Sequence, residues 1–347
     1  MLPAINSSSC PECEFGPESR HSFGRRDFIR VLGASAAMAA LPLSPLAQAR
    51  AARVEKQAAA EQLAFELFAT MDADQKKKLV LPWDYKAGAQ PLPARLMTAN
   101  APVGKSVIGL EYNKKQVELL DKIFRSIANG EAGYRHLSRN NTFDASGDFE
   151  SIGALIYGEP VEGKKFSLVF AGHHITVRCD GNSEEKTAFG GPLYYGHSPS
   201  GFAKNNVFFD QTEAVTALFS SLEADQKKTA VKPGKWADGV QSVKLPSKDA
   251  KAPGLSIGEM TKDQKSLIEA AMKTLVAPYR QEDGNEVMEI IKANGGMEKI
   301  AIAFYEEGAV SAKEPWSYWR LEGPGFVWSY RALPHIHTFV NISSKMA

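Results

Sequence analysis

Two histidines near the C-terminus have the spacing of metal ligands. His335 and His337 begin the segment His335–Val340, whose β-branched and aromatic residues predict a strand. Residues two apart in a strand point to the same face, so both imidazoles can reach one ion. Two such histidines and a third from a neighbouring strand form the three-nitrogen set of many zinc, copper and iron sites. The pattern therefore predicts a site for a divalent transition metal.

A second histidine pair occupies the middle of the chain. His173 and His174 lie in Gly172–Val177, which the sequence predicts to be a strand start or a hairpin tip. Adjacent residues of a strand point to opposite faces, so we expect only one of the two to be a ligand. This segment and His335–Val340 should then lie in one sheet or on facing hairpins, with converging histidines. His197, in a predicted loop, is a further candidate ligand.

A carboxylate near a predicted strand end is the candidate catalytic group. Glu322 lies in an aromatic-rich hairpin, and aromatic neighbours would desolvate its carboxylate and raise its pKa. We expect Glu322 to act as a general base or as a fourth ligand; the alternative is a solvated glutamate at a turn. The aromatic residues of this hairpin are Trp316, Tyr318, Trp319, Phe326, Trp328 and Tyr330. We interpret these residues as part of the hydrophobic core or, alternatively, as a platform for a sugar or an apolar ligand.

Helices and strands that would carry these residues cluster separately along the chain. Helical periodicity predicts helices over 60–81, 114–129, 211–223, 261–275 and 285–294. Strands are predicted over 151–158, 165–178, 299–306, 316–322, 325–331 and 335–342. This order is typical of an α+β fold with antiparallel sheets. Because no Gly-rich phosphate loop follows a strand, nucleotide-binding folds are disfavoured.

The chain also carries an internal similarity. The segment from Phe68 through Gln75 matches that from Phe219 through Gln226 at an offset of 151 residues, and Gln116 and Gln264 are 148 apart. We therefore predict a single domain over 50–347 made of two repeats, about 60–180 and 211–342. Helix pairs and antiparallel sheets would be related by a pseudo-twofold axis. The alternative is a chance recurrence of Asp-Gln-Lys at exposed helix starts.

The N-terminal segment resembles an export signal. Arg25 and Arg26 precede Phe28 and a short apolar run, and Ala47-Gln48-Ala49 fits the cleavage rule, so residues 1–49 read as a twin-arginine signal peptide that is removed. Cys10 and Cys13 would be lost with it. We expect a periplasmic or extracellular protein, exported folded by the twin-arginine machinery. The alternative is a retained anchor, although a span needs about 20 strongly apolar residues.

Composition excludes other classes of function. The net charge is +1, with 44% hydrophobic and 23% charged residues, so there is no basic excess that would attract nucleic acid. No segment after the leader is long and apolar enough to form a stable membrane span.

Two motifs carry a resemblance to a known family. Phe170–Val177, with its Gly-His-His sequence, and Pro334–Thr338, with His-Ile-His-Thr, resemble the bacterial family called domain of unknown function 3500. The resemblance covers nearly the whole mature chain and implies no established activity. It also implies an Arg-Asp pair soon after the terminal histidines, where Val340–Ile342 stands instead. If that pair helps to form the site, this member has altered or lost activity.

These observations lead to one main hypothesis and one alternative. The main hypothesis is an exported metal-dependent enzyme with zinc, copper or iron on His335, His337 and His173 or His174. Its chemistry would be hydrolytic or of the oxygen/redox type. The alternative is a non-catalytic extracytoplasmic binding protein for a glycan or an apolar ligand.

Overall fold

The computed structural model of the protein describes residues 60–247, 250–308 and 316–345. The predicted signal peptide, with its arginine pair and the two leader cysteines, lies outside the described residues. Among the residues described, no helix combines the length and the apolar character that a membrane crossing requires.

Nine α-helices occur in the described part of the chain, and they precede or interrupt the strands rather than alternating with them. They are α1 (60–70), α2 (Ala73–Leu79), α3 (Ile108–Glu111), α4 (Lys114–Ser126), α5 (Gly130–Leu137), α6 (Phe209–Ser221), α7 (Ala224–Ala230), α8 (Lys262–Val276) and α9 (Gln281–Ala293). The predicted helix over 60–81 is thus two helices, because Asp72 caps a new one.

Eleven strands within the described ranges form one mixed sheet. The first five are β1 (Val80–Leu81), β2 (Gly153–Gly158), β3 (Phe166–Gly172), β4 (Ile175–Cys179) and β5 (Leu193–His197). The others are β6 (Val231–Lys232), β7 (Leu255–Ser256), β8 (Ala301–Tyr305), β9 (Tyr318–Gly323), β10 (Phe326–Arg331) and β11 (Ile336–Ile342). Their order is β1-β2-β3-β4-β5-β11-β10-β9-β8-β6, and β7 pairs with β8. Only the end pairs β1–β2 and β6–β8 are parallel. The α+β class is confirmed.

Paired glutamines join neighbouring helix starts. Gln75 and Gln116 each close a capping box, in which a side chain and a backbone N–H satisfy each other at the helix N-terminus. Their side chains also bond one another, with Gln75 Nε2 donating to Gln116 Oε1 at 2.9 Å. Gln226 and Gln264 do the same at α7 and α8, with Nε2 donating to Oε1 at 3.0 Å.

Helices pack against one face of the sheet and form the main core there. From this face Tyr195 donates to Gln211 of α6 at 2.9 Å, and the Tyr330 hydroxyl bonds Thr212 of the same helix at 2.8 Å. Trp319 and Trp328 are buried in the same core. Most of the aromatic hairpin therefore stabilises the fold and offers no exposed platform for a sugar.

Two long irregular segments cover the opposite, more polar face. Residues 82–106 lie over β4, where Arg178 Nε donates to the Arg95 carbonyl oxygen at 2.6 Å. Residues 233–247 lie over the other half, where Asn341 Nδ2 donates to the Val243 carbonyl oxygen at 2.8 Å. The histidines meet on this polar face, where the central strands β5 and β11 pair.

Candidate metal centre

Three imidazoles converge at the junction of the two halves of the sheet. His337 Nε2 lies 3.0 Å from His174 Nε2 and 3.0 Å from His335 Nε2. The candidate ligand atoms of the three all lie within 4.8 Å of one another, so the group could hold a metal ion. The exposed fractions are 0% for His174, 2% for His335 and 6% for His337. The predicted convergence of the two histidine segments in one sheet is confirmed.

Strand geometry explains the position of two of these residues. His337 lies in β11 and His335 directly precedes this strand, and their two rings meet on the same face, as their spacing predicts. His337 pairs with Gly196 of β5, which leaves room for the third ring. A Cβ on Gly196 would lie 2.3 Å from the Ile336 carbonyl oxygen and 3.0 Å from the His174 ring. A side chain at this position would therefore displace the His174 ring or the backbone of β11.

The turn between β3 and β4 selects His174 from the adjacent pair. His174 has a φ of +58°, a left-handed conformation that non-glycine residues seldom adopt. Its backbone N–H donates to Asn100 Oδ1 at 2.7 Å, which ties the turn to the segment covering β4. Because His174 lies in this turn, its ring direction does not follow the strand alternation used for the prediction.

Two aspartates orient the imidazoles from behind. His174 Nδ1 lies 2.8 Å from Asp144 Oδ2, and His337 Nδ1 lies 3.2 Å from both carboxylate oxygens of Asp238. An ionised carboxylate only accepts hydrogen bonds, so each Nδ1 carries the proton and each Nε2 presents a lone pair. The two Nε2 lone pairs of His174 and His337 therefore face each other.

Burial and hydrogen bonding determine the protonation states of the three histidines and of Asp144. Burial lowers the pKa of His174 to about 2 and that of His335 to about 3, and it lowers the pKa of His337 as well. Burial alone would raise the pKa of Asp144, but hydrogen bonds from His174 and Ser198 hold it well below its usual value. The histidines are therefore neutral and the aspartate ionised at pH 7.

Arg331 supports the second aspartate. Its guanidinium forms an ion pair with Asp238, and its Nε donates to the His335 carbonyl oxygen at 3.4 Å. In Asp238, burial would raise the pKa, but the hydrogen bond from His337 and the nearby positive charge lower it. A guanidinium–carboxylate pair thus adjoins His337, although its members precede the histidines in the chain. Asn341 lies where the family resemblance implies the Arg-Asp pair, and its side chain instead bonds the segment that covers the sheet.

A loop with unusual backbone geometry places Asp144 and a buried arginine at the site. Arg139 Nε donates to the Gly196 carbonyl oxygen at 2.9 Å, and its other nitrogens donate to the carbonyl oxygens of Leu137 and His174. Arg139 therefore clamps the histidine turn onto β5. Five non-glycine residues of this loop have positive φ: Arg139, Asn140, Asn141, Phe143 and Asp144. Such conformations cost of order 1–3 kcal/mol each and cluster at functional sites.

His173 and His197 stay outside the three-histidine group. The His173 ring packs 3.8 Å from the His174 ring, and its Nδ1 accepts from the Ala145 N–H at 3.3 Å. With Asp144 and His174 it forms a second group whose candidate ligand atoms lie within 4.8 Å of one another. His197 Nδ1 accepts from the Val207 N–H at 3.3 Å.

Glu322 is not brought to the histidines. It forms an ion pair with Arg320 at 2.6 Å, on a strand two positions away from β11. His337 is level with Tyr318, two strands away, and Glu322 is four residues further along β9; together these steps correspond to roughly 16 Å. The carboxylates at the site are Asp144 and Asp238. Both lie in irregular segments with no ligand spacing, so no local signal identified them.

Fold and site together define a class of protein: an α+β protein with a buried cluster of three histidines, two of them hydrogen-bonded to carboxylates. Comparison with protein families assigns the chain to one family. The chain belongs to DUF3500, a family described as protein of unknown function, whose model matches residues 55–343. No curated protein and no solved structure matches the chain.

Proposed function

We propose that the protein is an exported metal-dependent enzyme whose ion is bound by His174, His335 and His337. The observation that carries the proposal is the approach of the His174 and His337 Nε2 atoms to 3.0 Å. With both Nδ1 atoms donating to aspartates, no proton lies between these nitrogens, and their lone pairs repel. Burial lowers both pKa values, which disfavours a proton as the missing cation. A metal ion bound by these nitrogens would relieve this repulsion.

The dimensions of the cluster fit such an ion. Zinc–nitrogen bonds of 2.0–2.1 Å place tetrahedral ligand atoms roughly 3.3–3.4 Å apart. The observed 3.0 Å contacts therefore need only a small outward movement of the rings. Imidazole nitrogen suits zinc, copper and iron. Zinc would supply an acidified water for hydrolysis, whereas copper or iron would supply oxygen or redox chemistry.

The residues around the cluster have separate roles in this proposal. Asp144 and Asp238 hold the two imidazoles in the tautomer that binds metal and increase the basicity of Nε2. Arg139 holds the carbonyl oxygen of His174 and fixes its turn. Burial of the rings excludes water from the site and strengthens every electrostatic interaction within it.

We further propose that the scaffold arose from two repeats within a single domain. One half of the sheet runs from the parallel pair β1–β2 through β3 and β4 to β5. The other half runs from the parallel pair β6–β8 through β9 and β10 to β11, so β5 and β11 meet at the centre. The interlocked glutamine pairs occupy corresponding helix starts. The histidine turn has no counterpart in the second half, since Pro324 and Gly325 follow β9, so the two halves contribute to the site unequally. Superposition of residues 60–180 on 211–342 should align helices and strands in one order; opposed strand directions would contradict the duplication.

The predicted twin-arginine signal supports the proposal, because export in the folded state would allow a metal to be bound before translocation. Replacing Arg25 and Arg26 together by lysine should retain the protein in the cytoplasm, measured by cell fractionation. Unchanged appearance outside the cytoplasm would contradict the export route.

Metal analysis tests the proposed function directly. The mature protein is purified after export through its own leader, without a histidine tag, and its metals are measured by mass spectrometry. We expect about one equivalent of zinc, copper or iron, strongly reduced in His335→Ala and His337→Ala, because two remaining ligands bind too weakly. His197→Ala is the matched control and should keep its metal. Metal content that is low and indifferent to all three substitutions would contradict the proposal.

A further inference from the structure

A segment beside the metal centre packs a tryptophan between aromatic rings of the sheet. We call residues 233–247 the strap. Its Asp238 bonds His337 and Arg331, so the strap directly contacts a residue of the histidine cluster. Two residues earlier, the Trp236 ring lies 5.3 Å from Tyr318 and 6.0 Å from Phe339. The strap therefore connects the support of the histidines with an aromatic cluster.

This aromatic cluster is separate from the main core. Tyr194, Trp236, Val243 and Phe339 form it, and Tyr318 packs against it. Tyr194 and Phe339 lie on the central strands with ring centroids 4.8 Å apart, and they form the floor. The Tyr194 ring is also 5.7 Å from the His337 ring. We call the space that Trp236 fills above this floor the aromatic slot; it adjoins the histidine cluster.

The hydrogen-bonding capacity of Trp236 is not satisfied in the aromatic slot. Its side chain is 4% exposed, yet its indole nitrogen has no hydrogen-bond partner among the described residues. A buried donor without an acceptor is destabilising, and native proteins seldom retain one. The slot thus accommodates a flat ring but provides no acceptor for its N–H. An aromatic ring without a buried donor would avoid this cost in the slot.

We propose that the aromatic slot is the substrate subsite of the metal centre and that it binds a flat aromatic ring, which enters when the Trp236 side chain swings out. The inference rests on the proposed function and names its substrate class. A phenol-like substrate would place its ring between Phe339 and Tyr318 and direct its polar end past Tyr194 toward the histidines. The unsatisfied indole N–H favours this exchange, because it gains a partner in water when the side chain leaves.

The test compares two substitutions of the same residue. Binding of 4-nitrocatechol to zinc-loaded protein is measured by absorbance and calorimetry, with metal content determined in the same samples. Trp236→Ala opens the slot and should bind the probe about tenfold more tightly than wild type, equivalent to about 1.4 kcal/mol. Trp236→Phe keeps a ring in the slot and removes the N–H, so it should bind no more tightly than wild type. Trp316→Ala, a tryptophan packed against Phe219 and Phe304, is the matched control.

Two further measurements distinguish binding in the aromatic slot from a general loosening of the fold by the substitution. Adding Phe339→Ala to Trp236→Ala should abolish the gain in affinity, and the gain should be smaller in zinc-free protein. A folded, zinc-loaded Trp236→Ala protein with wild-type affinity would overturn the inference and leave the metal site intact. Equal gains in Trp236→Phe and Trp236→Ala would also overturn it, as would a gain independent of zinc. Absence of bound zinc, copper and iron from the wild type would instead refute the proposed function.

Discussion

Replacing His337 by leucine should change stability in opposite directions with and without metal. Leucine has a similar volume but no nitrogen, so it removes the central lone pair of the cluster. In the native protein that nitrogen lies 3.0 Å from the Nε2 atoms of both His174 and His335. Asp238 keeps its ion pair with Arg331 in the variant, so the substitution leaves no buried charge without a partner.

The expected changes in the free energy of unfolding differ between the metal-free and the zinc-bound site. Without metal, a buried polar atom that faces another lone pair costs about 1–3 kcal/mol, so the leucine variant should be as stable as wild type or up to about 2 kcal/mol more stable. With zinc at about 1,000 times its dissociation constant, wild type gains about 4 kcal/mol. The variant gains little, because two histidines bind zinc weakly.

Urea unfolding followed by circular dichroism measures both effects. Wild type, His337→Leu and the control His197→Leu are compared after exhaustive chelation and again in buffered zinc. His197 lies outside the cluster, so its variant should keep the full stabilisation by zinc.

Two outcomes would refute this reasoning. One is a metal-free His337→Leu protein that is clearly less stable than metal-free wild type, which would mean that the imidazoles bond each other favourably without an ion. The other is an equal stabilisation of wild type and His337→Leu by zinc, which would place the ion elsewhere.

Three other predictions concern residues around the site. Asp238→Asn should weaken metal binding about 10–100-fold, because the asparagine amide no longer enforces the His337 tautomer; chelator competition measures this, and unchanged affinity would contradict it. Gly196→Ala should destabilise the fold and reduce metal content, since its Cβ would lie 2.3 Å from the Ile336 carbonyl oxygen; a stable, metal-replete variant would contradict the predicted clash. Burial lowers the pKa of His136 to about 4. A lowered folded pKa means that the unfolded chain binds more protons, so stability is complete above about pH 6.5 and declines toward pH 4. His136→Gln should reduce the loss of stability between pH 7 and 5, by up to about 2 kcal/mol, in urea unfolding, and an unaltered pH dependence would contradict this assignment.

Local patterns in the sequence predicted the parts of the protein that depend on short-range geometry. The two-residue spacing of His335 and His337, which flank the first residue of β11, was sufficient to predict that they share one face, because alternation along an extended chain needs no knowledge of its neighbours. The helix starts at Gln116 and Gln264 could likewise be predicted, since a capping box lies within four residues. The α+β class follows from the order of such elements, and the two histidine motifs indicated the family.

Tertiary structure alone decided which histidine of the adjacent pair joins the cluster and which aspartates orient the imidazoles. Its selection over His173 depends on a left-handed turn that strand alternation does not describe. Asp144 and Asp238 lie 30 and 99 residues from the histidines that they orient, in segments whose positions depend on long-range packing. No local period relates such partners, because their approach is set by the closure of long loops over the sheet. The sequence therefore determined the types and strand spacing of the candidate ligands, whereas only the folded chain determined which ones meet and what orients them.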